Sequence, residues 1–249
     1  MRRDRLLLLA IACVATVSPL YGEPKPEDRP KIVVAAPMGV VAGSTAKVTL
    51  RGKKLDGVTE VRCQPSSVKA KLLGKGTIGD IPQVGNSRSE IELTIPAGFS
   101  DPQVTVTVVN SAGESNSQRI LIDRSPILAE KEPNNGFAQA QVIAIGQTIE
   151  GVIEKGFDVD VYRFEGKAGQ RITAEVLAAR YGSPLDSFLT LYTGDGQIVA
   201  ANDDLDSTTT DSRLEATLPR DGSYYLVLVD ANDRGSPAHV YRLSLQAGR

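Results

Sequence analysis

Alternation of apolar and polar side chains with a period of two runs through most of the chain. Ala46-Lys47-Val48-Thr49-Leu50, Glu90-Ile91-Glu92-Leu93-Thr94-Ile95 and Val104-Thr105-Val106-Thr107-Val108 each place apolar groups on one face and polar groups on the other. That pattern predicts antiparallel strands with one buried and one solvated face. Residues 32–34, 58–62, 68–72 and 119–122 supply further apolar stretches, which brings the first half to about seven strands, the number of an immunoglobulin-like sandwich. Asp56-Gly57, Pro96-Ala97-Gly98 and Asn110-Ser111-Ala112-Gly113 punctuate them as turns. Residues 74–89, with four Gly and one Pro, read as a long loop.

The second half repeats the pattern in longer strands. Residues 159–164, 172–176, 188–192, 224–229 and 240–245 carry the clearest apolar faces, and 147–153, 197–201 and 213–218 raise the expected count to eight. Gly194-Asp195-Gly196 and Arg220-Asp221-Gly222 are hairpin signals. Eight antiparallel strands suit a jelly roll. Gly136 to Gln141 lacks strand character and is expected to form one short helical turn, and Asp123-Arg124-Ser125-Pro126 a short, stiff joint. The expectation is an all-β chain: an N-terminal immunoglobulin-like β-sandwich over residues 31–123, then a C-terminal eight-stranded jelly-roll β-sandwich over residues 128–249.

The N-terminus departs from this pattern. Met1-Arg2-Arg3-Asp4-Arg5 is basic, and residues 6–17 form an almost wholly apolar run of twelve. A bilayer span needs about 20 apolar residues, so the run reads as a secretory signal peptide. Cleavage is expected after Gly22, leaving residues 23–30 as a linker and the protein secreted, periplasmic or at the cell surface. A rival cut exists, because Ala10-Ile11-Ala12-Cys13 loosely resembles a bacterial lipobox, in which Cys13 would become a lipidated N-terminus. Under the first cut Cys63 is alone, so no internal disulfide can form. Its setting, Val61-Arg62-Cys63, reads as strand and makes it a small buried hydrophobe.

Composition narrows the function. The 249 residues hold 28 Lys+Arg against 30 Asp+Glu, one His and no Trp. No basic run exists for a nucleic acid. His239, in Ser236-Pro237-Ala238-His239-Val240, has no Gly-x-Ser-x-Gly partner motif, and a zinc site with two His is impossible. The expected chain is not an enzyme. Charge divides unevenly: residues 23–124 carry 14 basic and 11 acidic side chains, and residues 125–249 carry 11 and 18. One half is +3 and the other −7, as befits two modules with separate surface chemistry.

Acids gather in the −7 half. Glu130-Lys131-Glu132-Pro133-Asn134-Asn135 is followed after 22 residues by Asp158-Val159-Asp160. Ca²⁺ takes about six to eight oxygen ligands, mixing carboxylates with amide carbonyls. Carboxylates brought together would repel unless a cation sat between them. A solvated turn with its acids facing water is the alternative. Asp186, Asp203, Asp204 and Asp211 form a second candidate metal cluster, at loops that could converge at one end of a sandwich or stay solvated.

Two resemblances sharpen these readings. Pro37 and Gly43 ahead of Val48-Thr49-Leu50, then Gly52-Lys53-Lys54-Leu55 and the ending at 106–113 before Ile120-Leu121-Ile122, resemble the IPT/TIG immunoglobulin-like family over residues 31–123. That implies a spacer or a binding sandwich. Residues 128–245 resemble the bacterial pre-peptidase C-terminal family, similar in fold to the collagen-binding domains of clostridial collagenases. The carriers are Glu130-Lys131-Glu132-Pro133-Asn134-Asn135, Gly156-Phe157-Asp158-Val159-Asp160-Val161-Tyr162-Arg163-Phe164, Asp186-Ser187-Phe188-Leu189-Thr190-Leu191-Tyr192 and Asp211-Ser212-Arg213-Leu214 leading to Gly222-Ser223-Tyr224-Tyr225. The resemblance implies a Ca²⁺ site on Glu130, Glu132, Asn134, Asn135 and Asp160, with Asp158 beside them. It departs at two points: Asn135 replaces a frequent Asp, and Asp158 lies two residues before Asp160 where those relatives place the acid three before, in the slot of Phe157. Collagen recognition does not transfer, because Val159 stands where an Arg contributes and Trp is absent. Tyr192, Tyr224 and Tyr225 are the candidates for a surface platform, although neighbouring Tyr224 and Tyr225 face opposite sides of a strand. The implied function is a secreted, non-catalytic module that binds an extracellular polymer, an envelope component or a secreted partner. The alternative is a structural or inhibitor-like accessory subunit of an exported hydrolase.

Overall fold

The computed structural model describes residues 25–248. The expected signal segment, its cut after Gly22 and Cys13 lie outside the described residues. Among those described, the regular structure is strand and short 3-10 turns, and no helix is long and apolar enough to cross a membrane.

The first sandwich packs a sheet ordered Lys31–Ala36, Thr45–Lys53, Gly85–Thr94, Lys69–Ile81 against a second ordered Gly39–Val41, Gln118–Asp123, Gln103–Asn110, Glu60–Gln64. The alternation read from sequence is realised here. Val48, Leu50, Ile91 and Leu93 face Val104, Val106, Val108 and Ile120 in one buried cluster. Cys63 packs half-buried at its margin, and burial pushes its thiol up to about 11, so it stays protonated at neutral pH.

The expected loop at 74–89 is instead a long hairpin, Lys69–Ile81 paired with Gly85–Thr94. Its inward positions include Ser87 and Ser89, both fully buried, so the alternation is invisible to hydrophobicity. Their hydroxyls bind backbone: Ser87 donates to the Gly52 carbonyl (3.0 Å) and accepts from the Leu55 N–H (2.9 Å), and Ser89 donates to the Leu55 carbonyl (2.8 Å).

The second sandwich has two five-stranded sheets. One runs Leu128–Ala129, Gln147–Val152, Val240–Ala247, Arg171–Leu177, Arg213–Thr217, and the other Gln141–Val142, Asp160–Gly166, Gly222–Asp230, Ser187–Thr193, Ile198–Asn202. All eight expected strands are present, and the two short strands Leu128–Ala129 and Gln141–Val142 add parallel edge pairings. The helical turn expected near 136 is the 3-10 turn Phe137–Gln139. Tyr162, Phe164, Leu189, Leu191, Leu226, Leu228, Leu243 and Leu245 fill the core.

The two sandwiches share a small apolar cluster in which Val34, Met38 and the hairpin-tip residue Val84 meet Ala238 and Val240. Beside it the nearly buried Arg242 holds Asp123 with two parallel hydrogen bonds (2.8 and 2.9 Å) and Glu150 with a third (2.7 Å). Glu150 in turn accepts the Met38 N–H at 2.6 Å. Gly39 leaves room for this clamp, because a Cβ there would lie 2.4 Å from the Arg242 guanidinium and 2.9 Å from the Leu121 Cβ, so that one of them would have to shift.

Candidate metal centre

The acidic segment leaves the edge strand Leu128–Ala129 and crosses the end of the second sandwich toward strand Asp160–Gly166. Its first acid turns inward. Glu130 Oε1 accepts hydrogen bonds from the Tyr162 hydroxyl (2.9 Å), the Tyr241 hydroxyl (2.8 Å) and the Asn134 side-chain amide (3.0 Å), and Oε2 accepts the Val152 N–H (2.8 Å). Gly151 makes room for this, since a Cβ there would lie 2.5 Å from the Tyr241 hydroxyl. Both carboxylate oxygens of Glu130 are thus engaged by the protein, which makes it an orienting partner in this arrangement and not the open ligand that the sequence reading expected.

The remaining acids converge. One carboxylate oxygen each from Glu132, Asp158 and Asp160 lies within 4.8 Å of the others, the one such trio of acidic, His or Cys side chains among the described residues. Asp160 opens its strand fully buried; its Oδ2 lies 2.6 Å from the Tyr241 hydroxyl, within hydrogen-bond distance, and its Oδ1 has no partner. Asn134 is also fully buried, with its backbone carbonyl bound to the Val161 N–H and its side-chain Oδ1 unpartnered. Two orphaned buried oxygens, one on the trio's own Asp160 and one on Asn134, whose backbone N–H binds Glu132, are an unusual cost, because a buried acceptor without a donor loses its hydration for nothing. Asp158 is nearly buried and caps its own turn by accepting the Glu154 N–H at 2.7 Å. Glu132 stays exposed and accepts the Asn134 N–H. Asn135 is exposed.

Electrostatics tell the same story. Burial, with the Glu130 charge next, pushes the Asp160 carboxyl up to about 9. Burial also raises the Glu132 carboxyl, and Asp158, Glu130 and Glu154 push it the same way. All the atoms offered are hard oxygens, the donor set of Ca²⁺. Just ahead of Asp158, Phe157 adopts a left-handed φ of 62° and is 79% exposed.

The second predicted cluster does not form a shared pocket. Asp211 is fully buried but accepts the N–H groups of Ala178 (2.9 Å) and Ala179 (2.6 Å) and the Arg180 Nε (2.5 Å), which caps the 3-10 turn Ala179–Tyr181. Asp186 accepts the Asn232 amide at 2.7 Å, whereas Asp203 and Asp204 are exposed. Acids near strand ends were legible; that one of them serves as a backbone cap was not.

The tyrosines divide as strand geometry requires. Tyr224 is core, with its hydroxyl donating to the Arg220 carbonyl at 2.7 Å, whereas Tyr192 and Tyr225 lie on the outer face. Phe137, which sequence reasoning passed over, stacks on Tyr225 with centroids 4.2 Å apart and planes 3° from parallel. His239 is buried with Nδ1 at 2.8 Å from the Ser236 hydroxyl, and Nε2 has no partner.

Comparison with known proteins places this half. Residues 158–229 match the bacterial pre-peptidase C-terminal domain family. A probable subtilase-type serine protease from Deinococcus radiodurans is 31% identical over 246 residues, covering 88% of this chain. The chain spans about a third (33%) of that relative's length. Among solved structures, the pre-peptidase C-terminal domain of a Bacillus anthracis collagenase is similar at 20% identity and a TM-score of 0.34, covering 50% of this chain and all (100%) of that one. A CBM51-2 and INT segment of Clostridium perfringens ZmpB, in complex with GlcNAc, is similar at 15% identity and a TM-score of 0.29, covering 78% of this chain and 42% of that one. Over residues 158–229, then, the chain carries a bacterial pre-peptidase C-terminal domain.

Proposed function

We propose that this chain is an exported, non-catalytic binding and accessory protein whose C-terminal sandwich is locked by Ca²⁺. The observation that carries the metal reading is the pair of buried, unpartnered oxygens, Asn134 Oδ1 and Asp160 Oδ1, together with the convergence of Glu132, Asp158 and Asp160. Glu132, Asn134, Asp158 and Asp160 would hold the ion. Glu130 would set their orientation through Asn134, Tyr162 and Tyr241, and exposed Asn135 would sit at the rim. Ca²⁺ supplies charge neutralisation and ties the 130–135 segment to the first long strand of its sheet; it has no reactive role.

The non-catalytic reading draws on the pre-peptidase C-terminal match and on the His239 pairing. His239 Nδ1, the nitrogen that an orienting carboxylate would occupy in a hydrolase triad, faces the Ser236 hydroxyl. Its ligand would be an extracellular polymer, an envelope component or a secreted partner. A second reading, an accessory subunit of an exported hydrolase, is favoured by one observation: the similar segment belongs to a subtilase-type protease in the relative.

Calorimetry tests the metal. Chelation with EDTA should lower the melting temperature and Ca²⁺ restore it by linkage, by about 2.7 kcal/mol at a hundredfold excess over Kd. A melting temperature unmoved across a broad calcium titration overturns it. Intact mass of the exported protein distinguishes a start at Glu23 from a lipidated Cys13.

A further inference from the structure

Antiparallel sheets with one exposed face carry polar side chains there. The five-stranded sheet that contains strand Asp160–Gly166 does not follow this rule. Its register sets Val142, Arg163, Tyr225, Tyr192 and Ile198 side by side across all five strands. At about 4.8 Å per strand the row is about 19 Å long. Val142 is 68% exposed, Ile198 65% and Phe137 38%, so three of the five large apolar side chains exposed among the described residues lie on this one face. Scattered exposed apolar residues need no explanation, but three gathered on one sheet face with two outward tyrosines mark a binding surface.

The geometry specifies the ligand further. The Phe137 ring lies flat on Tyr225 and meets Tyr192 edge-on at 5.5 Å, leaving a planar aromatic step at the middle of the row. Among the described residues, the tyrosine hydroxyls that find protein partners belong to Tyr162, Tyr181, Tyr224 and Tyr241, which leaves those of Tyr192 and Tyr225 free on the row. A polar rim runs beside it. Arg163 Nη2 donates to Glu165 (3.0 Å), Glu165 accepts the Ser223 hydroxyl (2.7 Å), and Arg163 Nε is buried with no partner. A purely apolar partner would leave this rim unused. A polyanion would meet Glu165 and the −7 charge of residues 125–249. A pyranose chain matches both parts, with C–H faces for the rings and hydroxyls for the rim.

We propose that this face binds a neutral glycan, its sugar rings stacked on Phe137 and Tyr192 and its hydroxyls taken by Arg163, Glu165, Ser223 and the two free tyrosine hydroxyls. The proposal rests on the binding-module reading above and is independent of the metal. The test is affinity electrophoresis of the full chain in gels containing a β-glucan, a mannan, soluble chitin oligosaccharides or, as the acidic control, alginate. Retardation by at least one neutral polymer is expected, weakened about tenfold in Phe137→Ala and in Tyr192→Ala with melting temperatures unchanged. Ile198→Asp, on an exposed edge position, should weaken it without touching the rings. No retardation by any neutral polymer, or retardation by alginate alone, overturns the glycan assignment. Retardation that survives all three substitutions refutes this face while leaving the binding-module reading intact. Capture of a secreted protein through Phe137 with no glycan retention keeps that reading and replaces the ligand class.

Discussion

Asp160 shows how one side chain couples folding to its surroundings. With its carboxyl raised to about 9, the metal-free folded protein keeps a proton that the unfolded chain, at an ordinary carboxyl value near 3.9, gives up. The sign follows directly: this contribution is fully present below about pH 4 and is lost as pH rises toward about 9. Ca²⁺ requires the ionised carboxylate. Melting in EDTA should therefore weaken between about pH 5 and about pH 8, while the increment gained on adding Ca²⁺ grows over the same range. Asp160→Asn separates the effects, since it replaces a carboxyl that the metal-free fold must keep protonated beside Glu130 with a neutral amide. The variant is expected to match or exceed the metal-free wild type in stability and to lose its response to Ca²⁺, measured by calorimetry with and without the ion. Glu130→Gln should instead cost about 1–3 kcal/mol in either condition, because it weakens acceptance of the Tyr162 and Tyr241 hydroxyls. The acids themselves were readable from spacing. The role of Glu130 was not, because Tyr162 and Tyr241 are 79 residues apart in sequence and meet at 2.6 Å only after the sandwich closes.

At the scale of elements, the hairpin Lys69–Ile81 with Gly85–Thr94 is where pattern reading failed and physical chemistry explains why. Hydrophobic periodicity finds a strand only when its inward positions are apolar, and this one buries Ser87 and Ser89. Their partners are the Gly52 and Leu55 backbone groups, so the serines substitute hydrogen bonds for apolar contact. Ser87→Ala should leave the Leu55 N–H without its acceptor and cost about 1–3 kcal/mol, read as a lower urea midpoint at unchanged slope. The strands Ser187–Thr193 and Gly222–Asp230 hold the opposite lesson. Phe188-Leu189 and Tyr225-Leu226-Val227-Leu228-Val229 are nearly continuous apolar runs, the mark of strands covered on both faces. That signal was in the sequence, and only the register tells which residues line the open side.

For the whole molecule, the decisive contact is the Arg242 clamp on Asp123 and Glu150. The sequence shows a stiff joint at 123–126 and two halves of opposite charge; it does not show that Asp123 reaches a guanidinium more than a hundred positions away. Removing the cation strands two nearly buried carboxylates. Arg242→Met is expected to cost about 3–5 kcal/mol and to expose the joint near Arg124 to trypsin, with calorimetry separating into two transitions where the wild type has one. Limited proteolysis followed by mass analysis checks the site of cutting. A joint held in this way turns a tether into a strut. With the clamp closed, a ligand held on the outer sheet would stand at one set separation from the far end of the first sandwich, and the pair would act as a spacer of fixed length.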